Sequence, residues 1–567
     1  MFQQISAPIV GSLALSALCA AIPLALLFVL LGAFRVKAHK SALAGLASAL
    51  VLAVTVWKMP VGQALSSAAA GVVYGLIPIL WILVTALWIY RITVATPWFG
   101  ILGTTIRSVS SDLRILAILI AFCFGALLES LAGFGAPVAI TAAMMMAAGM
   151  KPMKAAVVCL LANTAPVAFG SMGTPVIALN GVTGIPLQEL SSMAGRQTPL
   201  IALIVPLLLV LLVDGRRGLS QTWPVALMAG FVFGLMQFLT SNYIAVELTD
   251  VTASVATVAA VLVMLRFWKP REIISGDTSA DPADPADTTP AHEDDVTSRA
   301  EAGPTVVTQP TRDIAAGTRP PLPQVSMSIA PYLVVMAVFS LAQIPSIKTW
   351  LGEIGSITFQ WPGLNVTDAD GTPVAAQKFK LDHLKATGTL LLLSGMITMA
   401  IYRMKPLAGL RIFAGTVVQL KWTIVTVTSV LALSFVMNLS GLTTTLGLAL
   451  ASTGVLFAVL SPVIGWIGVA LTGSDTSSNS LFGHLQVTAA EQTGLSPTLM
   501  AASNSSAGVM GKMLSLQNLA VASAAVGIDG AESNLFRKLL PWSLGLLALI
   551  TVLIVLQATP VLGWMVP

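Results

Sequence analysis

Charged residues are scarce in this chain of 567 residues. Only 9% of the residues are Asp, Glu, Lys or Arg, and 56% are hydrophobic, whereas a soluble globular domain is about 25% charged. This composition excludes an ordinary soluble domain. Apolar runs of about 20 residues recur along the chain, and each run is long enough to cross a bilayer. The sequence therefore predicts a multi-pass membrane protein, with the lipid bilayer as its first partner.

Cysteines and enzyme motifs are scarce as well. The three cysteines, Cys19, Cys123 and Cys159, lie in apolar runs without the spacing of metal ligands, which favours small buried side chains. The sequence has no GxxxxGK[ST] phosphate-binding loop, no HExxH metal pair and no GxSxG nucleophile motif. We therefore expect a protein that is not an enzyme and that has no metal site and no cofactor.

The net charge of +5 is unevenly distributed. Residues 270–320 hold ten acidic and four basic residues, a net charge of −6, so the rest of the chain carries +11 (5 + 6). Positive cytoplasmic loops account for this excess, and no nucleic-acid partner is expected. Residues 271–325 are predicted to be a disordered acidic cytoplasmic linker. The linker separates a first membrane half, residues 1–270, from a second half, residues 326–567, which carries a polar external insert at residues 345–385.

Residues 122–174 are the stretch around which the chain is organised. They are apolar enough to lie in a membrane, yet they contain Glu129, a glycine-proline cluster with Gly133 and Gly135, and Asn-Thr-Ala-Pro at residues 163–166. A carboxylate at bilayer depth usually faces a cavity. Broken helices are tolerated at that depth only where they line such a cavity, so this stretch is predicted to border a binding site.

A second stretch, residues 465–511, has the same character. It contains TGSDTSSNS at residues 472–480 and SNSSAG at residues 503–508. Polar, helix-breaking segments in corresponding places of two hydrophobic halves indicate a transporter with its site near the midplane of the membrane. We predict an all-α fold of about 12–14 transmembrane segments, built as two inverted repeats with re-entrant hairpins and broken helices.

Glu129, Asp475 and His484 are the candidates for proton coupling. Because apolar surroundings disfavour the charged form of a carboxyl group, Glu129 could bind and release a proton; a structural salt bridge is the alternative. Asp475 lies among small polar residues that could line a wet cavity or coordinate an ion, unless they form an external loop. His484 could extend a proton path, although a lone histidine is more often a simple hydrogen-bonding group. Glu247 and Asp250 are interpreted as part of a loop.

The substrate-binding candidates are grouped around two matched segments, Asn163-Thr164 and Asn504-Ser505. Each segment is predicted to lie beside a helix break, where free backbone N–H groups and the positive end of the helix dipole bind carboxylates. Helix capping is the alternative, and the two roles are compatible. The cations that could meet an anionic substrate, unless they are interfacial anchors, are Lys512 and Arg196. The remaining candidates are polar or glycine residues near the breaks: Ser474, Asn479, Gly133 and Gly135.

Four segments resemble the bacterial L-lactate permease family: FCFGALLESLAGFGAPVAITAA, NTAPVAFGSMGTP, LTGSDTSSNSLF and SNSSAGVMGKMLS. The resemblance covers nearly the whole chain apart from residues 275–325. It implies a proton symporter of the bacterial cytoplasmic (inner) membrane for L-lactate, and often for glycolate or another short 2-hydroxy-monocarboxylate. The family is grouped with inverted-repeat ion transporters, some of which place Asn with Thr or Ser at the substrate carboxylate. That arrangement matches the two Asn segments named above.

The chain departs from the family at a few positions. Ser130 and Leu131 stand where the family often has Gly-Ala, and Leu516 stands where a proline is usual. These differences leave the exact substrate open, with D-lactate among the candidates. The alternatives are symport of another small organic anion, Na⁺ coupling, a passive channel and a membrane-embedded enzyme. Association into a homo-oligomer is also left open.

Overall fold

A computed structural model describes residues 1–133, 135–274, 320–369, 371–374, 377–528 and 530–567. Most of the predicted linker therefore lies outside the described residues. The helices before it are α1 (Leu13–Ala20), α2 (Ile22–Gly32), α3 (Ala38–Thr55), α4 (Val61–Tyr74), α5 (Trp81–Val94), α6 (Trp98–Arg107), α7 (Leu113–Leu116), α8 (Gly125–Ala132), α9 (Ala136–Ala147), α10 (Pro152–Ala162), α11 (Gly170–Thr183), α12 (Leu187–Tyr243) and α13 (Thr249–Phe267). Two wider helical segments, Gly75–Leu80 and Ala117–Phe124, join α4 to α5 and α7 to α8.

The second half begins with a helix at Leu322, slightly before the predicted end of the linker. Its helices are α14 (Leu322–Ala342), α15 (Pro345–Ile354), α16 (Thr387–Ile401), α17 (Pro406–Gln419), α18 (Lys421–Ser440), α19 (Leu442–Ala451), α20 (Phe457–Thr472), α21 (Asp475–Thr493), α22 (Pro497–Lys512), α23 (Leu516–Ala525) and α24 (Glu532–Gln557).

The insert at residues 345–385 is a small folded unit. Helix α15 precedes β2 (Ser356–Gln360), which pairs antiparallel with β4 (Lys378–Asp382). The short strand β3 (Val366–Thr367) pairs in parallel with β1 (Phe2–Gln3) at the start of the chain. The insert is thus fastened to the N-terminus, and its external location stays a prediction.

Ten helical segments of the described chain are long and apolar enough to cross a membrane, or eleven if the bent pair α10 and α11 counts as one span. This number is lower than the predicted 12–14. Part of the difference comes from α12, which would be about 85 Å long if straight, far more than the bilayer core of about 30 Å. Its backbone leaves the helical conformation at Asp214 and Gly215, so α12 forms two arms, each long enough to cross a membrane.

The two arms of α12 fold back against each other with very little space between them. A Cβ atom added at Gly230 would lie 2.5 Å from the carbonyl oxygen of Leu203, and one added at Gly234 would lie 3.0 Å from that of Pro199. Small residues allow helix backbones to approach closely in membranes. These glycines therefore explain why the sequence forms a tight helical hairpin here.

The two halves repeat one order of elements, and the predicted inversion of one half relative to the other stays a prediction. In the first half, α8 ends at Gly133, the short α9 follows, the pair α10 and α11 is broken, and Gly184 precedes α12. In the second half, α18 ends at Gly441, the short α19 follows, α20 and α21 are separated at Gly473, and Gly494 precedes α22. All five glycines have positive φ, which glycine adopts without a steric penalty.

The two halves are packed into each other and share their buried interior. Helix α18 of the second half packs on α3 and α4 of the first, α21 packs on α11, and α22 packs on α12. Helices α20 and α22 approach closely because a Cβ atom at Gly465 would lie 2.2 Å from the carbonyl oxygen of Asn504. The packing brings the two broken segments together in the interior.

A buried arginine fixes the bend of α12 to the start of α7. Arg114 is fully buried and contacts Asp112 at 2.7 Å and Asp214 at 3.2 Å. It also donates to the side chain of Gln221 at 2.8 Å and to the carbonyl oxygen of Glu272 at 2.6 Å. The Arg114 side chain therefore donates hydrogen bonds to acceptors at the start of α7, on both arms of α12 and in the segment after α13.

We expect Arg114→Met to lower the free energy of unfolding by about 3–5 kcal/mol, because Asp112 would remain buried without its cation. Thermal denaturation of the purified protein in detergent measures the change. The control is Arg217→Ala, which removes an exposed ion pair with Glu272 and should have no measurable effect. Equal stability of wild type and Arg114→Met would contradict the assignment of Arg114 as a structural clamp.

Candidate functional site

An ion pair between the two halves lies at the centre of the candidate site. Glu129 is in the last turn of α8, and its Oε1 accepts a hydrogen bond from Nζ of Lys512 at 2.5 Å. Both residues are buried, with exposed fractions of 2% and 6%. Oε2 of Glu129 has no hydrogen-bond partner among the described residues. The pair is charge-balanced but leaves one carboxylate oxygen available.

Lys512 is positioned by α22, of which it is the last residue, and by the following helix α23. At the end of α22, the negative end of the helix dipole favours a cation. Its carbonyl oxygen accepts from Nδ2 of Asn518 at 3.0 Å, and Ser515 caps the start of α23 through its side chain. Asn518 also faces the junction between α8 and α9, since a Cβ atom at Gly135 would lie 3.1 Å from its Oδ1.

Two glycines make room for the Glu129 carboxylate. A Cβ atom at Gly170 would lie 3.0 Å from Oε1 of Glu129 and 3.2 Å from its Cγ. Gly133 has φ +39°, and a Cβ atom there would lie 2.5 Å from Oγ of Ser171. A side chain at either position would therefore displace the groups that border the ion pair.

We expect Gly170→Ala to reduce substrate uptake strongly and to cost about 1–3 kcal/mol of stability, because the added methyl group overpacks Glu129. Uptake into proteoliposomes and thermal denaturation measure the two effects. The matched control is Gly62→Ala, since a Cβ atom at Gly62 meets no atom within 4 Å. Normal uptake by Gly170→Ala would show that this contact does not position the carboxylate.

The first break lies between α10 and α11, as predicted, and the two helices are bent by 61°. Asn163 caps the end of α10, and the Thr164 hydroxyl donates to the carbonyl oxygen of Leu161 at 2.7 Å. Ser171 and Met172 have φ values of +45° and +57°. Left-handed backbone at residues other than glycine is strained, and such strain is concentrated at functional sites.

The second break lies at the start of α21. Ser474 caps this helix by accepting from the backbone N–H of Ser477 at 3.2 Å. Asp475 is the first residue of α21, and its Oδ2 accepts from Oγ of Ser505 at 2.5 Å. Oδ1 of Asp475 has no partner within the described part of the chain. Asp475 and Ser505 thus meet at the start of α21.

A cavity of about 40 Å³ joins these groups, which is room for about three water molecules. Glu129 and Lys512 lie on it together with the two helix starts, and Lys512 is the one cation among its described lining residues. The lining residues from the helix starts are Gly170, Ser171, Thr174, Pro175, Gly473, Ser474, Asp475 and Thr476, and the apolar ones are Ile79, Leu83, Val167 and Val427.

The predicted break at Asn504 and Ser505 is wrong, because α22 runs without interruption from Pro497 to Lys512. Asn504 accepts from Gln486 at 3.2 Å and donates to Oδ1 of Asn479 at 2.8 Å. Asn479 in turn donates to the carbonyl oxygen of Pro175 at 3.0 Å. These two amides connect α21 and α22 to the first break instead of lining the cavity.

Arg196 and His484 are not brought to the cavity. Arg196 donates to Oδ1 of Asn242 at 3.0 Å and to the carbonyl oxygen of Met565 at 2.7 Å, which fits its interpretation as an anchor. His484 is half-buried on α21, nine residues and therefore about 13 Å along the helix from Asp475.

Asp250 was not among the site residues predicted from the sequence. It lies in the first turn of α13 and is 1% exposed, so the interpretation of this position as a loop is wrong. Its Oδ1 accepts from Nε2 of Gln237 at 3.2 Å. The available signal was an acidic residue at the start of an apolar run, which is typical of both a loop and a buried helix start.

The whole-chain comparison decides the family. The sequence matches the family described as L-lactate permease over residues 16–561. The chain belongs to this family. It is 41% identical to the L-lactate permease of Bacillus subtilis, covering 100% of this chain and 99% of that protein. It is 40% identical to both the L-lactate permease and the glycolate permease GlcA of Escherichia coli K12, with 98% of each chain covered.

Membership of a permease family, together with the apolar helices, identifies a multi-pass transporter of the bacterial inner membrane. Among solved structures, the YdaH transporter of Alcanivorax borkumensis aligns at 15% identity with a TM-score of 0.30. The alignment covers 82% of this chain and 87% of that one. A similarity this weak supports no conclusion about the site.

Proposed function

We propose that the protein takes up L-lactate, and glycolate as a second substrate, together with a proton across the cytoplasmic membrane. The observation that carries this proposal is the buried pair of Glu129 and Lys512 on a small cavity at which two helices begin. The names of the relatives support the substrate class, since they include permeases for L-lactate and for glycolate.

The cavity is suited to a small anion. Lys512 supplies a positive charge, and the starts of α11 and α21 add the positive ends of two helix dipoles, which favour carboxylates. Hydroxyl groups of Ser171, Thr174 and Ser474 border the same space and could orient a 2-hydroxyl group. On the other side, apolar residues such as Ile79 could contact the methyl group of lactate.

Charge balance explains why the anion would enter with a proton. The pair of Glu129 and Lys512 is neutral, so a substrate carboxylate that binds Lys512 leaves Glu129 without its cation. An unpaired buried carboxylate is costly and is neutralised instead. Glu129 therefore takes up one proton when the substrate displaces it, and one anion and one proton cross together without net charge.

The test is uptake of labelled L-lactate into proteoliposomes with either an inward proton gradient or an inward Na⁺ gradient at fixed pH. We expect accumulation with the proton gradient, no effect of Na⁺, and competition by unlabelled glycolate. Accumulation that depends on the Na⁺ gradient would show that Na⁺, and not the proton, is the coupling ion. Equilibration without accumulation would indicate a channel, and recovery of altered lactate inside the vesicles would indicate an enzyme.

A further inference from the structure

Asp250 is a third buried carboxyl group close to the site. Its Oδ1 accepts from Gln237, whereas Oδ2 has no partner among the residues that the structure describes. Of the ion pairs found between described residues, none involves Asp250. A buried carboxylate without a cation is costly. The neutral form, with a proton on the carboxyl group, is therefore the stable one in this arrangement.

Other unpaired oxygens lie around the same carboxyl group. Ser254 is one helical turn further along α13, on the same face, and its fully buried Oγ has no hydrogen-bond partner in the described ranges. Oε1 of Gln237, the residue that donates to Asp250, is also buried and without a partner there. The described groups around Asp250 are thus polar and uncharged, and they offer no cation that would stabilise an ionised carboxylate.

Asp250 is connected to both the first break and the ion pair. Nε2 of Gln237 donates to the carbonyl oxygen of Ala165 at 3.1 Å as well as to Asp250. Helix α13 packs on α8, which carries Glu129. Asp250 also interacts electrostatically with Glu129 and with Lys512. A proton on Asp250 therefore changes the charge balance of the substrate site.

The charged groups that interact with Asp250 are Glu129 and Lys512 of the substrate site. Helix α13 packs on α8, α11, α12, α14 and the short segments Ala117–Phe124 and Val246–Leu248. The other titratable residues on these elements, none of which forms an ion pair with Asp250 in the described chain, are Cys123, Glu189, Arg196, Asp214, Arg216, Arg217, Tyr243, Glu247 and Tyr332. Glu247 instead accepts from Thr387 at 3.2 Å.

We propose that Asp250 carries a proton in the transport cycle and exchanges it with the site formed by Glu129 and Lys512. This inference rests on the proposed proton symport. Of three buried carboxyl groups, on Glu129, Asp250 and Asp475, only that of Glu129 forms an ion pair with Lys512 among the described residues. A hydrated proton from the side of entry forms an O–H bond at Oδ2 of Asp250. That bond breaks when the proton passes to the Glu129 carboxylate that the substrate has displaced, and water on the other side accepts the proton as the O–H bond of Glu129 breaks.

The test compares two activities of Asp250→Asn in proteoliposomes: accumulation driven by a proton gradient and exchange of labelled for unlabelled L-lactate. Asn retains an acceptor for Gln237 but cannot release a proton. We expect the ratio of accumulation to exchange to fall at least tenfold, and Asp250→Glu to restore part of it. The control Glu189→Gln, which neutralises an exposed carboxyl group on α12, should leave the ratio unchanged.

The outcomes separate this inference from the proposed function. If the wild type shows no accumulation with a proton gradient, the proposed symport fails. If the wild type is coupled and Asp250→Asn keeps the same ratio, only the role of Asp250 is overturned. Should neither variant fold, a hydrophobic carbodiimide, which modifies protonated carboxyl groups, is applied to the wild type. Modification mapped to Asp250 supports the inference, and an unmodified Asp250 contradicts it.

Discussion

Lys512→Met is expected to abolish L-lactate uptake. Lys512 is the single cation among the described residues that line the cavity, and truncating a buried partner of a charged group costs about 2–5 kcal/mol of binding. The lower value alone corresponds to about a thirtyfold weaker affinity. Substrate affinity is measured by binding of labelled L-lactate to the purified protein, and transport by uptake into proteoliposomes.

A double variant separates binding from folding in this experiment. Lys512→Met alone leaves Glu129 buried without its cation, which is destabilising, whereas replacing both partners by neutral residues of similar size can be nearly neutral. We therefore expect Glu129→Gln with Lys512→Met to recover thermal stability but not lactate binding. Recovery of binding in the double variant would show that Lys512 has only a structural role.

Glu129→Gln is expected to remove the coupling of uptake to the proton gradient. Gln has almost the shape of Glu and can still accept a hydrogen bond from Lys512, but it cannot bind and release a proton. Accumulation of L-lactate against its gradient should therefore fall to the level of equilibration. The ratio of gradient-driven accumulation to lactate exchange measures this loss separately from any change in substrate affinity.

The control for this prediction is another carboxyl group of the first half. Glu189→Gln removes a carboxylate from an exposed position on α12 and should leave accumulation and exchange as in the wild type. Accumulation that persists in Glu129→Gln would transfer the coupling role to Asp475, which lines the same cavity as Lys512, or to Asp250, which interacts electrostatically with Lys512.

Local sequence signals predicted the end of α8 and its carboxylate, Glu129, but not the cation that pairs with it. Glycines, a proline and Glu129 within one apolar run indicate a helix end with a buried acid, and α8 ends there. The ion pair joins residues 383 positions apart, and no local pattern specifies such a contact. Glu129 and Lys512 were therefore both candidates, while their pairing required the packing of the two halves.

The incorrect prediction of a helix break near residue 504 has a physical cause. Polar and glycine residues near 504 were interpreted as a helix break, but Gly508 and Gly511 lie where α22 packs closely on α20. A Cβ atom at Gly511 would lie 2.3 Å from the carbonyl oxygen of Trp466. Glycine permits both a break and close packing in membranes, so composition alone does not distinguish them. A polar residue is accommodated at position 504 because its side chain forms hydrogen bonds from α22 to α21 within the interior.

Proton uptake on substrate binding is the direct measure of whether lactate displaces Glu129 from Lys512. Purified wild-type protein in weakly buffered detergent solution is mixed with L-lactate at constant starting pH, and the proton uptake is measured with a pH indicator. We expect uptake of about one proton per bound lactate by charge balance, and much less in Glu129→Gln. Lactate binding to the wild type without proton uptake would contradict the displacement of Glu129 from Lys512.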